Sequence, residues 1–189
     1  MQHLNKILKD FKKMHLLYEA GAVFTAIDTE TTSITPKNGR IMEIGAIKFD
    51  KDGIISSFNQ LFNPQCIIPP FVSELTGITQ RMVAASPLIS DKLPDFLQMI
   101  ENTILIAHNA QFDLNFINAE CERCELEPAR NKTIDTLQFS RWFYPSFEKH
   151  KLDFLAHELK IDPGHSHRAY DDANVCMQLF VKMCTESKS

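Results

Sequence analysis

The apolar positions of this chain recur with two periods, and the changes from one to the other mark out its elements. Residues 4–18 place Leu4, Ile7, Leu8, Phe11 and His15/Tyr18 on one side and Lys6, Lys9, Lys12 and Lys13 off it, the spacing of an amphipathic helix. Residues 22–28 form a short apolar run rich in strand formers. Strands over 41–50 and 53–62 follow, joined by Lys51-Asp52-Gly53, whose Asp-Gly step marks a hairpin. Pro64, Pro69 and Pro70 end that meander. Short helical pieces cover 71–75 and 79–84, split at Thr76-Gly77. Residues 92–101 read as a helix with Leu93, Phe96, Leu97 and Ile100 inward, Asp91 as its cap and Pro94 in its first turn. The pattern then gives a buried strand over 103–107, a helix over 111–124, a short strand over 133–135, and helices over 136–143, 152–159 and about 168–184. Three strands, then helices alternating with strands, predict an α/β class with a mixed central sheet, its first three strands antiparallel, flanked by helices.

One residue breaks the pattern. In the last helix Cys176, Leu179, Phe180 and Met183 form the apolar stripe, and Asp172 joins it at helical spacing. A carboxylate on a core-facing stripe is unfavourable unless a cation meets it. His167 stands five residues before Asp172, with His165 and Asp171 as the more ordinary surface residues beside them.

Two further acidic features follow buried strands. Asp28 and Glu30 share one strand face and can offer oxygen ligands to one hard cation, as magnesium and manganese prefer. Asp50/Asp52, Glu120/Glu122 and Glu125/Glu127 have the same spacing but lie in a turn or on or near a helix, so they read as solvated faces. Asp113 follows the strand over 103–107 in His108-Asn109-Ala110-Gln111-Phe112-Asp113. On its own it reads first as a first-turn acid favoured by the helix dipole, with Asn109 as the cap.

Composition narrows the classes. The chain has 189 residues with 44% hydrophobic and 23% charged content, ordinary for a globular domain. A net charge of −4 argues against a protein that coats nucleic acid by charge alone, though not against one that grips a strand end. There is no apolar run of membrane-spanning length and no secretory signal, so no membrane association is expected. Five cysteines read as reduced thiols in a cytoplasmic protein, and Cys121-x-x-Cys124 has no second ligand pair to complete a zinc site.

The ordered set is more specific than its parts. Asp28 and Glu30, Asp113 within His108-Asn109-x-x-Phe112-Asp113, and His167 and Asp172 within His167-Arg168-Ala169-x-x-Asp172-Ala173 together resemble the DEDDh (DnaQ-like) 3'→5' exonucleases. Leu75-Thr76-Gly77-Ile78-Thr79 resembles that family's connecting loop, and the resemblance covers roughly residues 21–185. It implies a ribonuclease H-like fold and a domain over 21–189, with residues 1–20 as an N-terminal helical extension.

The resemblance also implies two Mg2+ or Mn2+ ions held by Asp28, Glu30, Asp113 and Asp172, with Asp28 bridging. Two such ions roughly 3.5–4 Å apart can clamp the attacking and leaving oxygens of a phosphodiester. His167 is then the general base, since an imidazole titrates at about 6.5 and takes a proton near neutral pH. Thr31 and Ile34 are expected to line the pocket of the 3'-terminal nucleotide, with Asn109 and Phe112 facing them and Phe112 stacking on a base or serving as a core aromatic. Arg130, Lys132, Lys149, Lys151 and Arg168 are candidate phosphate contacts or ordinary surface charge.

Thr29-Glu30-Thr31-Thr32 is similar to the DNA polymerase III epsilon and PolC-type proofreading exonucleases and less so to oligoribonucleases, so the 3' end of DNA is the expected substrate, with RNA as the alternative. Two other readings stand beside the enzyme: a binding module without catalysis, and a polymerase-docking subunit that uses the N-terminal helix as its arm.

Overall fold

The computed structural model describes residues 7–186. A five-stranded sheet runs in the order β3-β2-β1-β4-β5, with β1 at Phe24–Thr31, β2 at Ile41–Asp50, β3 at Gly53–Leu61, β4 at Ile104–Ala107 and β5 at Thr133–Asp135. β1, β2 and β3 pair antiparallel, while β4 runs parallel to both β1 and β5. This is the mixed sheet that the two periodicities predict.

Alternation along the strands divides the core into two layers. On one face Phe24, Ala26 and Ile106 pack with α1 (Met14–Glu19), α6 (Thr136–Phe143), α7 (Leu152–Leu159) and α8 (Ala169–Thr185), around Phe139, Leu155, Leu179 and Phe180. On the other, Ile27, Ile44, Ala46, Leu105 and Ala107 meet α4 (Ile89–Ile100) and α5 (Gln111–Arg123) through Leu93, Phe96, Leu114 and Ile117. A smaller cluster of Met42, Ile68, Val72, Ile78 and Val83 seats α2 (Pro70–Thr76) and α3 (Gln80–Val83). Gly77 ends α2 with a left-handed φ of 70°, the conformation a helix C-terminus favours glycine for.

Gly45 places α8. A Cβ there would stand 2.2 Å from the carbonyl carbon and oxygen of Ala169, so only glycine lets the first turn of α8 lie directly on β2. Gly45 is also the register partner of Asp28, and α8 therefore begins beside the acidic end of β1.

The structure corrects three local expectations. The N-terminal helix covers less than expected. A 3-10 turn at Phe11–Lys13 leads into α1, while Ile7 pairs with Thr133 in an isolated parallel bridge; the residues before Ile7 lie outside the described residues. Its apolar side is turned inward. Met14 and Tyr18 are buried, and the Phe11 ring stacks on Phe139 with centroids 5.2 Å apart. The helix expected over 92–101 starts three residues earlier, so Pro94 falls in its second turn and Asp91 accepts the backbone N–H of Leu88. The apolar run expected as a strand over 22–28 starts later, at Phe24, and runs on to Thr31, so Asp28 and Glu30 stand on β1 with the shared strand face expected of them.

Candidate active site

β1 and β4 run parallel, so their C-terminal ends open on one edge of the sheet, where α/β folds place ligands. Asp28 and Glu30 come from β1 and point to the α8 face, two residues apart on one side of the pleat. Asp113 comes from the first turn of α5, just past β4, and is 2% exposed. Its Oδ1 accepts the Thr29 hydroxyl at 2.8 Å, so a residue between the two β1 acids holds the third. Asp172 comes from the first turn of α8. Its Oδ2 accepts the backbone N–H of His167 at 3.0 Å, which folds the preceding turn back over the helix start.

His167 adopts a left-handed φ of 63°. That conformation is uncommon for a residue with a side chain and is found where surrounding contacts fix it. A ring nitrogen of His167 and one carboxylate oxygen from each of Glu30 and Asp172 lie within 4.8 Å of one another. The structure thus brings Glu30, His167 and Asp172 together, with Asp28 near enough to feel the charges of Glu30, Asp172 and Asp113.

The electrostatics fit a cation site. Burial, then the charges of Asp113, Glu30 and Asp172, holds the Asp28 carboxyl well above the usual carboxylate range. Burial first and Asp172 second push Glu30 up to about 8. Burial lifts Asp113 to about 7 against the lowering hydrogen bond from Thr29, and lifts Asp172 to about 6 against the His167 N–H. Four carboxylates this close repel each other when ionised, and a divalent cation removes that repulsion. The donors are carboxylate oxygens, a set that fits Mg2+ or Mn2+, with the exposed His167 imidazole beside them.

The residues expected around the terminal nucleotide are spread along the same edge. Ile34 is 82% exposed on the loop after β1. Thr31 is buried at its base, donating its hydroxyl to the Ser33 carbonyl. Asn109 is exposed, with φ 65°, and its side chain does not cap α5: the N-cap is Ala110, without a side-chain bond. Phe112 is half-buried, its ring 5.0 Å from that of Phe116 and packed on the core. A cleft of about 350 Å³ lies beside the acids, lined in part by Leu75, Lys151, Ser166, His167 and Asp172.

Two of the candidate phosphate contacts are paired. Arg130 meets Glu127 at 2.9 Å, and Arg168 forms a two-pronged pair with the buried Glu43. Sequence reasoning passed over Glu43 and also Asp135. Asp135 ends β5, caps α6 through the Leu137 N–H, and accepts the Asn109 N–H at 3.0 Å. The signal for Glu43 was present: a lone acid inside the apolar strand Ile41–Phe49, the same kind of misfit that singled out Asp172.

All five cysteines are free thiols, and Cys121 is buried in the core rather than facing a metal. Among the described residues no helix is long and apolar enough to cross a membrane.

Comparison with known proteins agrees with the family read from the sequence. The Exonuclease family matches residues 25–180. DNA polymerase III subunit epsilon of Treponema pallidum (strain Nichols) is 42% identical over 162 residues, which cover 85% of this chain and 75% of that protein. DNA polymerase III PolC-type of Bacillus subtilis (strain 168) is 34% identical over 178 residues; these cover 94% of this chain but only 12% of that much longer protein. Among solved structures, Exonuclease X in complex with 5' overhanging duplex DNA is 28% identical with a TM-score of 0.70, covering 87% of this chain and 92% of its own. E. coli Exonuclease I in complex with a dT13 oligonucleotide has a TM-score of 0.76 at 20% identity, covering 85% of this chain and 41% of its own, and shows the shared fold. The chain belongs to the exonuclease family and is a homologue of DNA polymerase III subunit epsilon.

Proposed function

We propose that this exonuclease removes nucleotides one at a time from the 3' end of DNA, with Asp28, Glu30, Asp113 and Asp172 as ligands of Mg2+ or Mn2+ and His167 as general base. The observation that carries the reading is the convergence of four carboxylates and one imidazole on a single sheet edge, with the carboxylates held at raised pKa values by burial and mutual repulsion. A binding module has no use for such repulsion, which favours an enzyme over a catalytically silent subunit.

Asp28 feels the charges of the other three acids, and with them it would hold the divalent cations. Glu30 and Asp172 stand together with His167, and Asp113 is fixed by the Thr29 hydroxyl. When bound, the divalent cations supply Lewis-acid polarisation of the phosphoryl oxygens and neutralise developing charge. His167 accepts a proton from the attacking water. The water oxygen bonds to phosphorus, the bond to the 3' oxygen of the next nucleotide breaks, and a 5'-mononucleotide leaves.

Ile34, Thr31, Asn109 and Phe112 surround the expected position of the terminal nucleotide. Lys149 and Lys151 line an open cleft with Asn109, which gives a path for the backbone phosphates. Proofreading or repair at a replication fork suits the relatives named DNA polymerase III, and the five free thiols suit a reducing, cytoplasmic setting. Association with a polymerase belongs to the same reading. The N-terminal segment would then offer the exposed Leu16 and its lysines, because its apolar side is already used.

The experiment is a comparison of three substrates of matched length. Single-stranded DNA and the frayed 3' end of a mismatched duplex should be degraded faster than RNA. Faster degradation of RNA would replace the reading by an exoribonuclease.

A further inference from the structure

The start of α8 is held by an ion pair that none of the proposed catalytic roles uses. Glu43 stands directly opposite Glu30 in the β1–β2 register, so the two carboxylates share the face on which α8 lies. Like charges in that position repel. Glu43 is fully buried and spends its charge elsewhere: Oε1 accepts Arg168 Nη2 at 2.6 Å, and Oε2 accepts Arg168 Nε at 3.1 Å and the backbone N–H of Ala169 at 3.0 Å. The carboxylate thus grips both a guanidinium and a free amide at the first turn of α8. Arg168 follows the left-handed His167 directly, and Ala169 is the residue that Gly45 lets onto the sheet.

We propose that Glu43, acting through Arg168 and the Ala169 amide, is a positioning residue that sets the His167 turn and the first turn of α8, and so fixes where the His167 ring and the Asp172 carboxylate stand relative to Glu30. The proposal rests on the function proposed above. It assigns Arg168 to this clamp rather than to a substrate phosphate. Three hydrogen bonds on one buried carboxylate define the place of α8 along β2, and the same contacts end one residue from the imidazole. Loosening them leaves the ligands present but displaced, and outer groups that orient metal ligands are typically worth about 10–100-fold in activity or metal affinity.

Glu43→Gln keeps the shape but places an amide NH2 against donors. Its kcat for release from a single-stranded oligonucleotide should fall by about 10–100-fold with KM changed less than about twofold, and the Mn2+ concentration giving half-maximal rate should rise. Arg168→Gln should do the same, and the double variant should be no slower than either single one, because both changes break one clamp. Arg168→Lys, which cannot make the two-pronged contact, should fall between wild type and Arg168→Gln. Thermal midpoints and circular dichroism report folding; if Glu43→Gln does not fold, the Arg168 pair carries the test.

A lowered midpoint with unchanged kcat and metal requirement would overturn the proposal. So would an Arg168→Gln effect confined to KM with no effect of Glu43→Gln, which would make Arg168 a phosphate contact. These failures differ from failure of the function itself, in which wild type releases nothing from a 3' end or Asp172→Asn is as active as wild type.

Discussion

Replacing Asp28 by asparagine should stop nucleotide release and, in the metal-free protein, make the fold more stable. The two effects come from one cause. Asp28 is crowded by Asp113, Glu30 and Asp172, and its carboxyl is held well above the ordinary range. A carboxyl whose pKa is higher in the folded than in the unfolded chain costs stability when it ionises. The cost is absent below about pH 4, where the unfolded carboxyl is also protonated, and it grows as pH rises toward the folded value. For Glu30, the neighbour on the same strand face, that value is about 8, so the repulsion in the cluster is at its fullest from there upward.

Asp28→Asn removes one charge of the cluster. At pH 8 and without divalent cations, its thermal midpoint should exceed that of wild type by about 2–4 °C, the equivalent of about 1 kcal/mol in a chain of this size. Addition of Mn2+ should raise the wild-type midpoint at pH 8, raise it less at pH 5, and scarcely move the variant. Activity of the variant should fall by about a thousandfold or more, on the order of 4 kcal/mol of barrier. Calorimetry at both pH values with and without Mn2+ checks the first claim. An unchanged or lowered metal-free midpoint would mean that the acids are not in mutual repulsion.

The second large effect concerns His167. His167→Ala should lower kcat by about 10²–10⁴-fold, the usual contribution of a positioned general base, with a smaller change in KM. The pH profile separates this role from a structural one. In wild type the rate should climb as the imidazole loses its proton and becomes able to accept one from water. In the variant that dependence should flatten, leaving whatever the carboxylates impose. A variant that keeps the wild-type profile at reduced rate would place the base elsewhere. His165, which pairs with Asp171 through Nδ1 at 3.2 Å and through its own backbone N–H, serves as the control histidine whose replacement leaves the profile intact.

How far the sequence carried depends on what kind of physics each feature obeys. Strands and helices follow from periodicity, and residues 41–50, 133–135, 136–143 and 152–159 were legible to the residue. Asp172 was legible because a charge on an apolar stripe is a visible contradiction, and its answer is a cluster with carboxylates from two other elements, β1 and α5. Boundaries were less legible where tertiary contacts decide them. Phe11 was read as part of one continuous helix, yet it sits in a 3-10 turn with its ring stacked on Phe139, and Ile7 lies outside the helix and bridges Thr133. Asn109 was misread as a cap because local rules did not place the helix start: Asn109 takes a left-handed φ of 65°, its N–H is bound by Asp135, and the N-cap falls on Ala110. Glu43 carried a local signal, an acid inside an apolar strand, but its role did not. Its partner Arg168 lies 125 residues away, and no local pattern announces such a contact. Gly45 is similar: its meaning appears only when the backbone of Ala169 arrives above it.

The central claim is that the carboxylates of β1, α5 and α8 act as one metal-dependent site that works from the 3' end. The direct measurement uses a single-stranded DNA labelled at its 5' end, incubated with wild-type protein and Mn2+ and resolved by length over time. A ladder that shortens one nucleotide at a time while the label stays on the long products, and that disappears with a chelator and with Asp172→Ala, is the predicted result. Immediate release of a labelled mononucleotide, or a ladder undiminished by the chelator or by Asp172→Ala, would contradict it.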